Sequence, residues 1–370
     1  MDPRVVRILL TNATDIFAGG EDYVLTLAKH LALRGHTVSV SALPGHLLLT
    51  KCADLGITTL PIDYRGMARV FVVSTQLRAA IIKHSIDVVH SNANYDRTCV
   101  AMATAFCSVR HVAGIHSTHS IQHNVTHWLR NRWGIDHFIT DADAGKAVLV
   151  REDGIPAGRV TTVPIGIESE SPEFNRVARA TARAALGADD TTLVVGNVAR
   201  LVPFKGHRIL LEAAARVLKR IPRVIFPIVG DGELLQNLQE QAARLGISDR
   251  VLFLGFRDNL QELYPAFDVY CHSSLDLASE MFPIAILRAL GTGLPVVATE
   301  VGGIALMVRQ GISGYLVPPE NPPDLADALV RVLNDTRLRH SMGEASSLLF
   351  REKYHAARMA EQIERVYTQL

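Results

Sequence analysis

Short apolar runs of strand length alternate with longer segments of helical spacing along the whole chain, and this alternation limits the fold more than any other feature. The first example is the run VRILLTN (6–12), followed by the helical pattern EDYVLTLAKHLALRG (21–35) and the second run HTVSVSAL (36–43). Such a unit forms parallel strands joined by a crossover helix. The alternation therefore predicts an α/β protein built on parallel sheets.

The same alternation starts again in the second half of the chain. A polar stretch at 168–181 ends the first series and reads as a linker, and TLVVGNVARLVPFKG (192–206) opens the second series. The other strand-like runs lie at 86–92, 110–117, 137–140, 159–165, 223–229, 250–256, 268–274, 294–300 and 314–319. A chain of 370 residues with 48% hydrophobic content is long enough for two cores.

These features predict two tandem doubly wound Rossmann-like domains. We place the first at 1–168 and the second at 169–349, and we expect ligands at the carboxyl ends of the strands, in a cleft between the domains. Residues 350–370 are expected to form a helix that crosses back to the first domain.

Composition excludes several classes of function. The net charge of +1, from 38 basic and 37 acidic residues, gives no overall field that would attract nucleic acid or an anionic membrane. The four cysteines have no CxxC spacing, which argues against a disulfide framework or a cysteine metal site and suits a reducing compartment. The first apolar run is too short for a signal peptide, and no later run has membrane-spanning length. We expect a cytoplasmic protein, and a peripheral contact with the inner membrane face stays open.

The segment GNVARLVPFKG (196–206) brings two cations and flanking glycines to a junction between a strand and a helix. The amino end of a helix offers free N–H groups, Arg200 can bind two oxygens at once, and Lys205 adds a point charge. Together with Gly196 and Gly206, these residues predict a phosphate site. The segment matches neither a Walker loop nor GxGxxG, and a solvated loop with ordinary surface charges is the alternative.

Further candidates stand at other predicted strand ends. Gly19 and Gly20 would let a ligand approach the backbone closely, or they serve a turn that needs positive φ. His116, in GIHSTHS, follows a strand and would face the same cleft, although a single histidine is more often a hydrogen-bonded structural residue. Gly230 begins the GDGE segment after another strand.

Taken in order, these motifs form a specific succession. The chain contains a GG loop, a mid-chain histidine, the spacing G(x)3R(x)4KG, then VGDGE, FLGF, a Glu-x-Phe-Pro helix start, TGLPVVAT and a second GG. This succession resembles the retaining GT-B glycosyltransferases of family 4, the glycosyl transferases group 1, over nearly the whole chain. Each motif is loose on its own, whereas the order and the spacing are specific.

The resemblance implies an activity. It is that of a retaining glycosyltransferase, which moves a hexose-type sugar from a nucleotide diphosphate donor to a hydroxyl of a glycan, lipid-linked or small-molecule acceptor. A UDP-sugar is favoured because it is the commonest donor in the family. The second domain would bind this donor and the first domain the acceptor, and no metal or other cofactor is implied.

The resemblance also implies site residues. Arg200 and Lys205 match the pair that binds the donor diphosphate. Glu280 matches the first glutamate of the E(x)7E motif, which holds hydroxyls of the transferred sugar, and His116 matches the histidine near the reacting carbon. Further donor-binding positions that the resemblance implies are Gly19, Gly20, Gly196, Gly230, Phe256, Arg257, Phe282, Pro283, Ile284 and Arg288.

The chain departs from the family pattern at the second glutamate of E(x)7E, which is Arg288 here. A carboxylate only accepts hydrogen bonds and a guanidinium only donates them, so the ribose contact of the family cannot be kept unchanged. Arg288 either donates to ribose or phosphate oxygens, or it pairs with a buried acid and touches no donor. Ile165 and Ala305-Leu306 are further departures, where the family usually has asparagine and Pro-Glu.

Two patterns could indicate metal sites instead. Asp141 and Asp143 have the DxD spacing of another glycosyltransferase architecture, although acids two apart are common in loops. His119, His123 and His127 have i, i+4 spacing, which on one helix would make a zinc face, although no HExxH or cysteine pattern supports one. A solvated or acceptor-facing helix is the alternative for the histidines.

Two other functions stay open. The altered motif at Arg288 is compatible with a weak or inactive nucleotide-sugar-binding protein on the same fold, or with a nucleotide-sugar epimerase, because a fold does not guarantee an activity. The segments 64–73 and 127–133 place cations beside apolar and aromatic residues. They could rest on a membrane near a lipid-linked acceptor, or they are half-buried helices and loops.

Overall fold

The computed structural model describes residues 5–15, 19–66, 69–117, 119–122, 124–168, 176–257, 259–275 and 282–370. The chain separates into two compact units. The first unit contains Met1–Glu168 and Lys353–Leu370, and the second contains Ser169–Glu352. Each unit is built around one parallel sheet covered by helices.

The first unit has a seven-stranded sheet in which all described pairs are parallel. Its strands are β1 (Arg7–Thr11), β2 (Thr37–Ala42), β3 (Thr58–Pro61), β4 (Val88–Ser91), β5 (Arg110–Ile115), β6 (His137–Thr140) and β7 (Val160–Thr162). The spatial order is β3-β2-β1-β4-β5-β6-β7, so the direction of winding reverses between β1 and β4. Ile8, Leu9 and Leu10 of β1 are fully buried, because helices cover the sheet on both faces.

Helices alternate with these strands in the described part of the first unit. They are α1 (Gly19–Leu33), α2 (Leu47–Asp54), α3 (Val70–Lys83), α4 (Asn94–Ala103), α5 (Val125–Trp133) and α6 (Asp143–Arg151). Apolar residues at helical spacing face the sheet, as in α1, where Val24, Leu27 and Leu31 are fully buried.

The second unit repeats the architecture with a six-stranded sheet whose described pairs are parallel. Its strands are β8 (Leu193–Val198), β9 (Val224–Val229), β10 (Val251–Phe253), β11 (Val269–His272), β12 (Val296–Thr299) and β13 (Gly314–Val317). The order is β10-β9-β8-β11-β12-β13. The winding therefore reverses between β8 and β11, and loops that follow these two strands flank the position where doubly wound sheets bind ligands.

The helices of the second unit are α7 (Arg176–Ala185), α8 (His207–Arg220), α9 (Leu235–Arg244), α10 (Ile284–Gly291), α11 (Ile304–Met307), α12 (Pro322–Asn334) and α13 (Thr336–Leu349). α8 packs against α12, and both contribute to the main core cluster of this unit. α12 begins with a proline, and the side chain of Asn321 accepts a hydrogen bond from the N–H of Asp324 at 3.1 Å. This combination is typical of a helix start.

The chain leaves the second unit through a π-helical turn, Phe350–Tyr354, and ends in α14 (Ala356–Gln369). α14 packs against α1 of the first unit. Ile167 donates to the carbonyl of Tyr354 at 2.9 Å, and Ala356 donates to the carbonyl of Ile167 at 2.9 Å. The end of the chain is therefore joined to the segment that closes the first sheet.

The sheets and their parallel winding confirm the predicted fold class, and three local predictions need correction. The polar stretch at 168–181 is not wholly a linker, because α7 begins at Arg176. The helix predicted to open at Glu280 begins at Ile284. β3 has no counterpart among the predicted strands: its four residues, TTLP, end in a proline, which a short edge strand tolerates.

None of the helices in the described part of the chain is long and apolar enough to span a bilayer.

Candidate functional site

The loop after β8 is held by hydrogen bonds from both neighbouring strand ends of the second unit. Leu201 donates to the carbonyl of Asp231 at 2.9 Å, which joins the loop to the segment after β9. On the other side, Leu275 donates to the carbonyl of Phe204 at 2.7 Å, and the Ser273 hydroxyl donates to the carbonyl of Lys205 at 3.1 Å. The loop is thus fixed at the point where the strand order reverses.

This loop brings its two cations to one aromatic ring. The guanidinium carbon of Arg200 lies 6.0 Å from the centre of the Phe204 ring, and Nζ of Lys205 lies 5.2 Å from it. Arg200 is exposed and Lys205 is half-buried. Two positive charges beside one ring form a local cationic site at a carboxyl strand end, although the whole chain is almost neutral.

Gly206 connects this cationic site to the amino end of α8. Its φ is +66°, in the left-handed region, and a Cβ at this position would lie 1.9 Å from the carbonyl oxygen of Ser273. Only glycine fits both the backbone angle and the close approach. The first turn of α8 therefore starts directly beside Lys205, and the positive end of a helix dipole adds to the cationic site.

Two predicted donor-binding glycines have structural reasons for being glycine. A Cβ on Gly196 would lie 2.2 Å from ring carbons of Phe267, and Gly196 is buried within β8, so its α-carbon packs against that ring. Gly230 has a φ of +142°, and a Cβ there would lie 2.0 Å from the carbonyl oxygen of Ala199. Gly230 thus lets the loop after β9 approach the loop after β8.

The other predicted donor-binding residues of the second unit lie in two segments, one directly after β10 and one at the start of α10. Phe256 and Arg257 are exposed after β10, and Nε of Arg257 donates to the carbonyl of Leu254 at 3.2 Å. Phe282 and Pro283 are buried directly before α10, which Ile284 begins. Arg288 lies half-buried on α10. Glu280 lies outside the described residues.

In the first unit, Gly19 and Gly20 are exposed at the start of α1, and a Cβ on Gly20 would meet no atom within 4 Å. The next residue, Glu21, is buried. Its carboxylate accepts from Nδ2 of Asn12 at 3.0 Å and from the hydroxyl of Thr14. This network joins the loop after β1 to α1 at the strand-order reversal of the first sheet.

His116 follows β5 and contacts a carboxylate that follows β6. Its Nδ1 lies 2.9 and 3.0 Å from the two carboxylate oxygens of Asp141, which is almost fully buried. The ring also packs edge-to-face on Tyr23 of α1, with centroids 4.6 Å apart. Burial alone would lower the pKa of His116, but the charge and the hydrogen bond of Asp141 outweigh burial and raise this pKa above its ordinary value. The imidazole is thus held in one orientation and is readily protonated.

Sequence reasoning treated Asp141 only as half of a metal motif and missed it as the partner of His116. The sequence did contain an indication of this contact, because His116 and Asp141 directly follow β5 and β6, and both strands were predicted. Adjacent parallel strands bring the residues after their carboxyl ends together. Only the pairing of β5 with β6, which a single sequence does not reveal, was lacking.

The fold separates the residues of the two sequence patterns that could have bound a metal. Asp143 accepts from the hydroxyl of Thr162 at 2.7 Å, while Asp141 faces His116. α5 begins at Val125, so His119 precedes the helix on which His127 lies, and these two histidines share no helical face; His123 lies outside the described residues. Within the part of the chain that the structure describes, no three His, Cys, Asp or Glu side chains are grouped closely enough to hold a metal ion.

A cavity of about 720 Å³ in the second unit lies away from the predicted donor site. Its lining includes Leu193, Asp268 and Pro295, which stand at or just before the amino ends of β8, β11 and β12. Arg179 and Arg183 contact Asp268 there at 2.6 and 3.3 Å. Arg200 and Lys205 are at the opposite edge of the sheet, so this cavity does not belong to the cationic site.

Two family models match the chain. Residues 17–171 match the model described as Glycosyltransferase Family 4, and residues 178–348 match Glycosyl transferases group 1. A D-inositol 3-phosphate glycosyltransferase from Corynebacterium urealyticum is 37% identical over 220 residues, covering 56% of this chain and 51% of that protein. An alpha-D-kanosaminyltransferase from Streptomyces kanamyceticus is 29% identical over 275 residues, covering 70% of each chain. The chain spans about half the length of the D-inositol 3-phosphate glycosyltransferases that it matches.

Solved structures match nearly the whole chain. A glycosyltransferase from Rickettsia africae has a TM-score of 0.88 at 17% identity, with 99% of this chain and 98% of that chain covered. Anabaena HepE, solved in complex with UDP, has a TM-score of 0.85 at 23% identity, with 99% of this chain and 100% of that chain covered. At these identities the likeness concerns the fold. Because the two family models together match 17–171 and 178–348, which is most of both units, the chain belongs to the glycosyltransferases of family 4 and group 1, which have the GT-B fold.

Proposed function

We propose that the chain is a retaining glycosyltransferase that moves a hexose-type sugar from a nucleotide diphosphate to an acceptor hydroxyl. The observation that carries this proposal is the cationic site after β8, where Arg200 and Lys205 lie beside the Phe204 ring and next to the amino end of α8. Its position at the strand-order reversal supports a ligand site, and its charge supports a diphosphate.

A UDP-sugar is the donor that we propose. HepE of Anabaena was solved in complex with UDP and in complex with UDP-glucose, which supports this donor class for a chain of the same fold. The acceptor would be a hydroxyl of a glycan, a lipid-linked sugar or a small molecule. The names of the relatives, which include enzymes acting on D-inositol 3-phosphate, support a hydroxylated acceptor.

The proposed chemistry is mainly electrostatic. As the bond between the sugar and the diphosphate breaks, negative charge grows on the leaving phosphate, and Arg200 and Lys205 would stabilise it. Hydrogen bonds to charged groups contribute about 1.5–3 kcal/mol each, and more where water is excluded. The two cations would replace a metal ion in this role, so we propose that no metal is required.

The sugar itself would be held by other residues. We propose that Glu280 accepts hydrogen bonds from hydroxyls of the transferred sugar, as its match to E(x)7E implies. His116 would lie near the reacting carbon, and the charge of Asp141 would favour its protonated form. No side chain is proposed as a nucleophile, since retention can proceed by front-face attack in which the departing phosphate oxygen takes the acceptor proton.

The proposal is tested by measuring donor binding with a thermal-shift panel of UDP-, GDP- and ADP-sugars. A UDP-sugar should raise the melting temperature of the wild type, and Arg200→Ala and Lys205→Ala should lose most of this rise. Arg208→Ala is the matched control, because Arg208 is an exposed cation on α8 whose partner is Glu320, 3.5 Å away. Equal stabilisation of all three variants would refute the diphosphate site.

Transfer and its stereochemistry need a separate measurement. With the donor identified, NMR of the product should show the anomeric configuration of the donor, and a chelator should leave the rate unchanged. An inverted product would reject the retaining mechanism, and loss of activity in the chelator would reject the metal-free mechanism.

Arg288 favours a second candidate, a nucleotide-sugar-binding protein without efficient transfer. It stands on α10 where the family has a glutamate, so the ribose contact has changed from acceptor to donor. Thermal stabilisation by a donor without any transfer or hydrolysis would support this candidate. Donor affinity of Arg288→Ala decides the role of the side chain, since an unchanged affinity would reject direct contact.

We propose a cytoplasmic location with a peripheral membrane contact through the first unit. The cysteines are free thiols, which suits a reducing compartment.

Trp133 of α5 and Phe71 of α3 are 70% and 74% exposed. Aromatic side chains of this kind bind at membrane interfaces. Sedimentation with anionic vesicles should carry the protein down and should carry down less of Trp133→Ser. A protein that stays in the supernatant would refute the membrane contact.

A further inference from the structure

Three buried polar atoms of the first unit surround the α-carbon of one glycine, Gly114 of β5. A Cβ built on Gly114 would lie 2.9 Å from Oδ1 of Asn92, 3.1 Å from Nε2 of His116 and 3.1 Å from Nε2 of His90. Among the residues that the structure describes, none of these three atoms has a hydrogen-bond partner. We call this arrangement of His90, Asn92 and His116 over Gly114 the Gly114 cradle.

Unpartnered polar atoms are costly in a protein interior. A buried donor or acceptor without a partner costs about 1–3 kcal/mol, so three at one point indicate a missing partner. Buried water commonly fills this role when it finds two to four polar groups. Glycine at position 114 keeps a side-chain carbon away from these atoms, since a Cβ there would lie within 3.1 Å of all three.

The orientation of Asn92 is fixed by its other atoms. Its Nδ2 donates to the carbonyl of Thr11 at 3.1 Å and to the carbonyl of His90 at 3.1 Å. Because both amide protons are used on backbone acceptors, Oδ1 must be the atom that faces the cradle. Asn92 therefore presents an acceptor.

His90 presents a donor. Its Nδ1 lies 2.6 Å from the hydroxyl of Tyr367 on α14, and burial raises the pKa of Tyr367 well above its usual range, so the phenol keeps its proton. In the described part of the chain, the ring nitrogen of His90 is the only acceptor within hydrogen-bond distance of this proton. Burial, together with His116 and His111, lowers the pKa of His90 to about 3, so the ring is neutral. A neutral imidazole that accepts at Nδ1 carries its proton on Nε2, toward the cradle.

His116 completes the set. Its Nδ1 donates to the carboxylate of Asp141, so Nε2 is an acceptor in the neutral ring and a donor in the protonated ring. A water molecule can accept from His90, donate to Asn92, and either donate to the neutral ring of His116 or accept from the protonated ring, whereas a substrate hydroxyl, with one proton, satisfies all three atoms only when His116 is protonated.

We propose that the Gly114 cradle binds one hydroxyl oxygen, a water molecule in the free protein, and that His90 and Tyr367 position the imidazole of His116 through it. A substrate hydroxyl is the alternative source of the same oxygen, and crystals with and without substrate distinguish the two sources. The oxygen site stands on geometry alone, whereas its effect on catalysis rests on the proposed glycosyltransferase function.

The direct test is a crystal structure of the protein without ligand, at a resolution that shows ordered water. We expect density for one oxygen within hydrogen-bond distance of the three cradle atoms. Density that appears only in a complex with a UDP-sugar or an acceptor would overturn the water assignment and identify a substrate hydroxyl as the occupant. An empty cradle in both crystals, or direct contact among the three side chains, would overturn the site itself.

A pair of glycine variants tests whether a side chain at position 114 displaces the oxygen from the Gly114 cradle. Gly114→Ala should expel the oxygen and destabilise the protein, while Gly158→Ala should change little, because a Cβ on Gly158 meets no atom within 4 Å. Should Gly114→Ala fold poorly, His90→Leu provides the same test with a side chain of similar bulk. An oxygen that remains bound in His90→Leu would refute the donor role of His90.

The positioning role is tested on kinetics. His90→Leu should lower kcat on the order of tenfold with little change in KM, because His116 loses one restraint, and His90→Gln should recover part of this loss by keeping a side-chain donor. Equal kcat values for the two variants would refute positioning through the oxygen. The crystallographic result is independent of activity, so failure of the proposed function and failure of the cradle can be told apart.

Discussion

The carboxylate of Asp141 accepts a hydrogen bond from Nδ1 of His116 at 2.9 Å, and this contact joins the residues that follow β5 and β6. It fixes the tautomer of the imidazole, so Nε2 is directed to the Gly114 cradle. It also places a buried negative charge beside His116, and this charge raises the pKa of the imidazole. The pair is therefore an oriented, charge-stabilised imidazole at the carboxyl edge of the first sheet.

Asp141→Asn should remove this charge and lower the pKa of His116. Since the carboxylate outweighs burial in the wild type, its loss should leave burial dominant, and the pKa should fall below the ordinary value of 6.5. A histidine NMR titration measures this shift, and activity near neutral pH should fall on the order of a hundredfold if the protonated ring takes part. Asp143→Asn is the matched control, because Asp143 contacts Thr162 instead. A higher pKa in Asp141→Asn would contradict the assignment.

The same pair makes stability depend on pH. The pKa of His116 is raised in the folded protein, so its contribution to the free energy of unfolding is fully present below the unfolded pKa and is lost as the pH rises through the folded pKa. Urea denaturation above and below neutral pH should therefore show a larger difference between wild type and His116→Gln at the lower pH. A difference that grows with pH would refute the ion pair.

Lys205→Ala should lose at least about a hundredfold in kcat/KM, by analogy with the removal of one donor from an oxyanion site. The lysine faces the Phe204 ring together with Arg200, next to the positive end of α8. Steady-state kinetics with the donor identified by thermal shift provides the measurement. Arg208→Ala, at the second residue of α8, should stay within about threefold of the wild type, since exposed ion pairs contribute little. A loss of tenfold or less in Lys205→Ala would count against the diphosphate role.

Gly206→Ala separates backbone strain from steric overlap. Gly206 and Gly187 have φ values of +66° and +68°. A Cβ on Gly187 would meet nothing within 4 Å, whereas a Cβ on Gly206 would lie 1.9 Å from the Ser273 carbonyl oxygen. Gly187→Ala should cost about 1–2 kcal/mol from the left-handed backbone alone. Gly206→Ala should cost clearly more in urea denaturation, because the loops after β8 and β11 must separate. Equal costs would show that the two loops are not tightly packed.

The sequence allowed the fold to be predicted because its apolar runs are strongly marked. Runs such as HFIT and RVIFPIV became β6 and β9, since buried parallel strands need continuous apolar residues. The cationic site was also foreseen, because Arg200 and Lys205 are close in sequence as well as in space. β3 escaped prediction because an edge strand of four residues carries little pattern.

Contacts between distant residues were not foreseen. The Gly114 cradle contains residues in and directly after β4 and β5, and its His90 contacts Tyr367, which lies 277 positions away. The packing of Gly196 was likewise not predicted, because the residue that it contacts, Phe267, comes from another segment of the second unit. Such contacts depend on strand pairing and on the return of α14 to α1, and local periodicity contains neither.

Asp96→Asn should change how stability depends on acid pH. Asp96 is fully buried on α4, where it accepts from the Thr11 hydroxyl at 2.9 Å and from the N–H of Ala93 at 3.0 Å. Burial outweighs these hydrogen bonds and raises its pKa from 3.8 to about 6. A raised folded pKa stabilises the protein below pH 3.8, and this contribution is lost as the pH rises through about 6. The stability of the wild type relative to Asp96→Asn should therefore fall by about 3 kcal/mol across this interval, given about 1.4 kcal/mol per unit. Urea denaturation at several pH values measures the difference, and a parallel response of the two proteins would mean that Asp96 stays ionised in the folded chain.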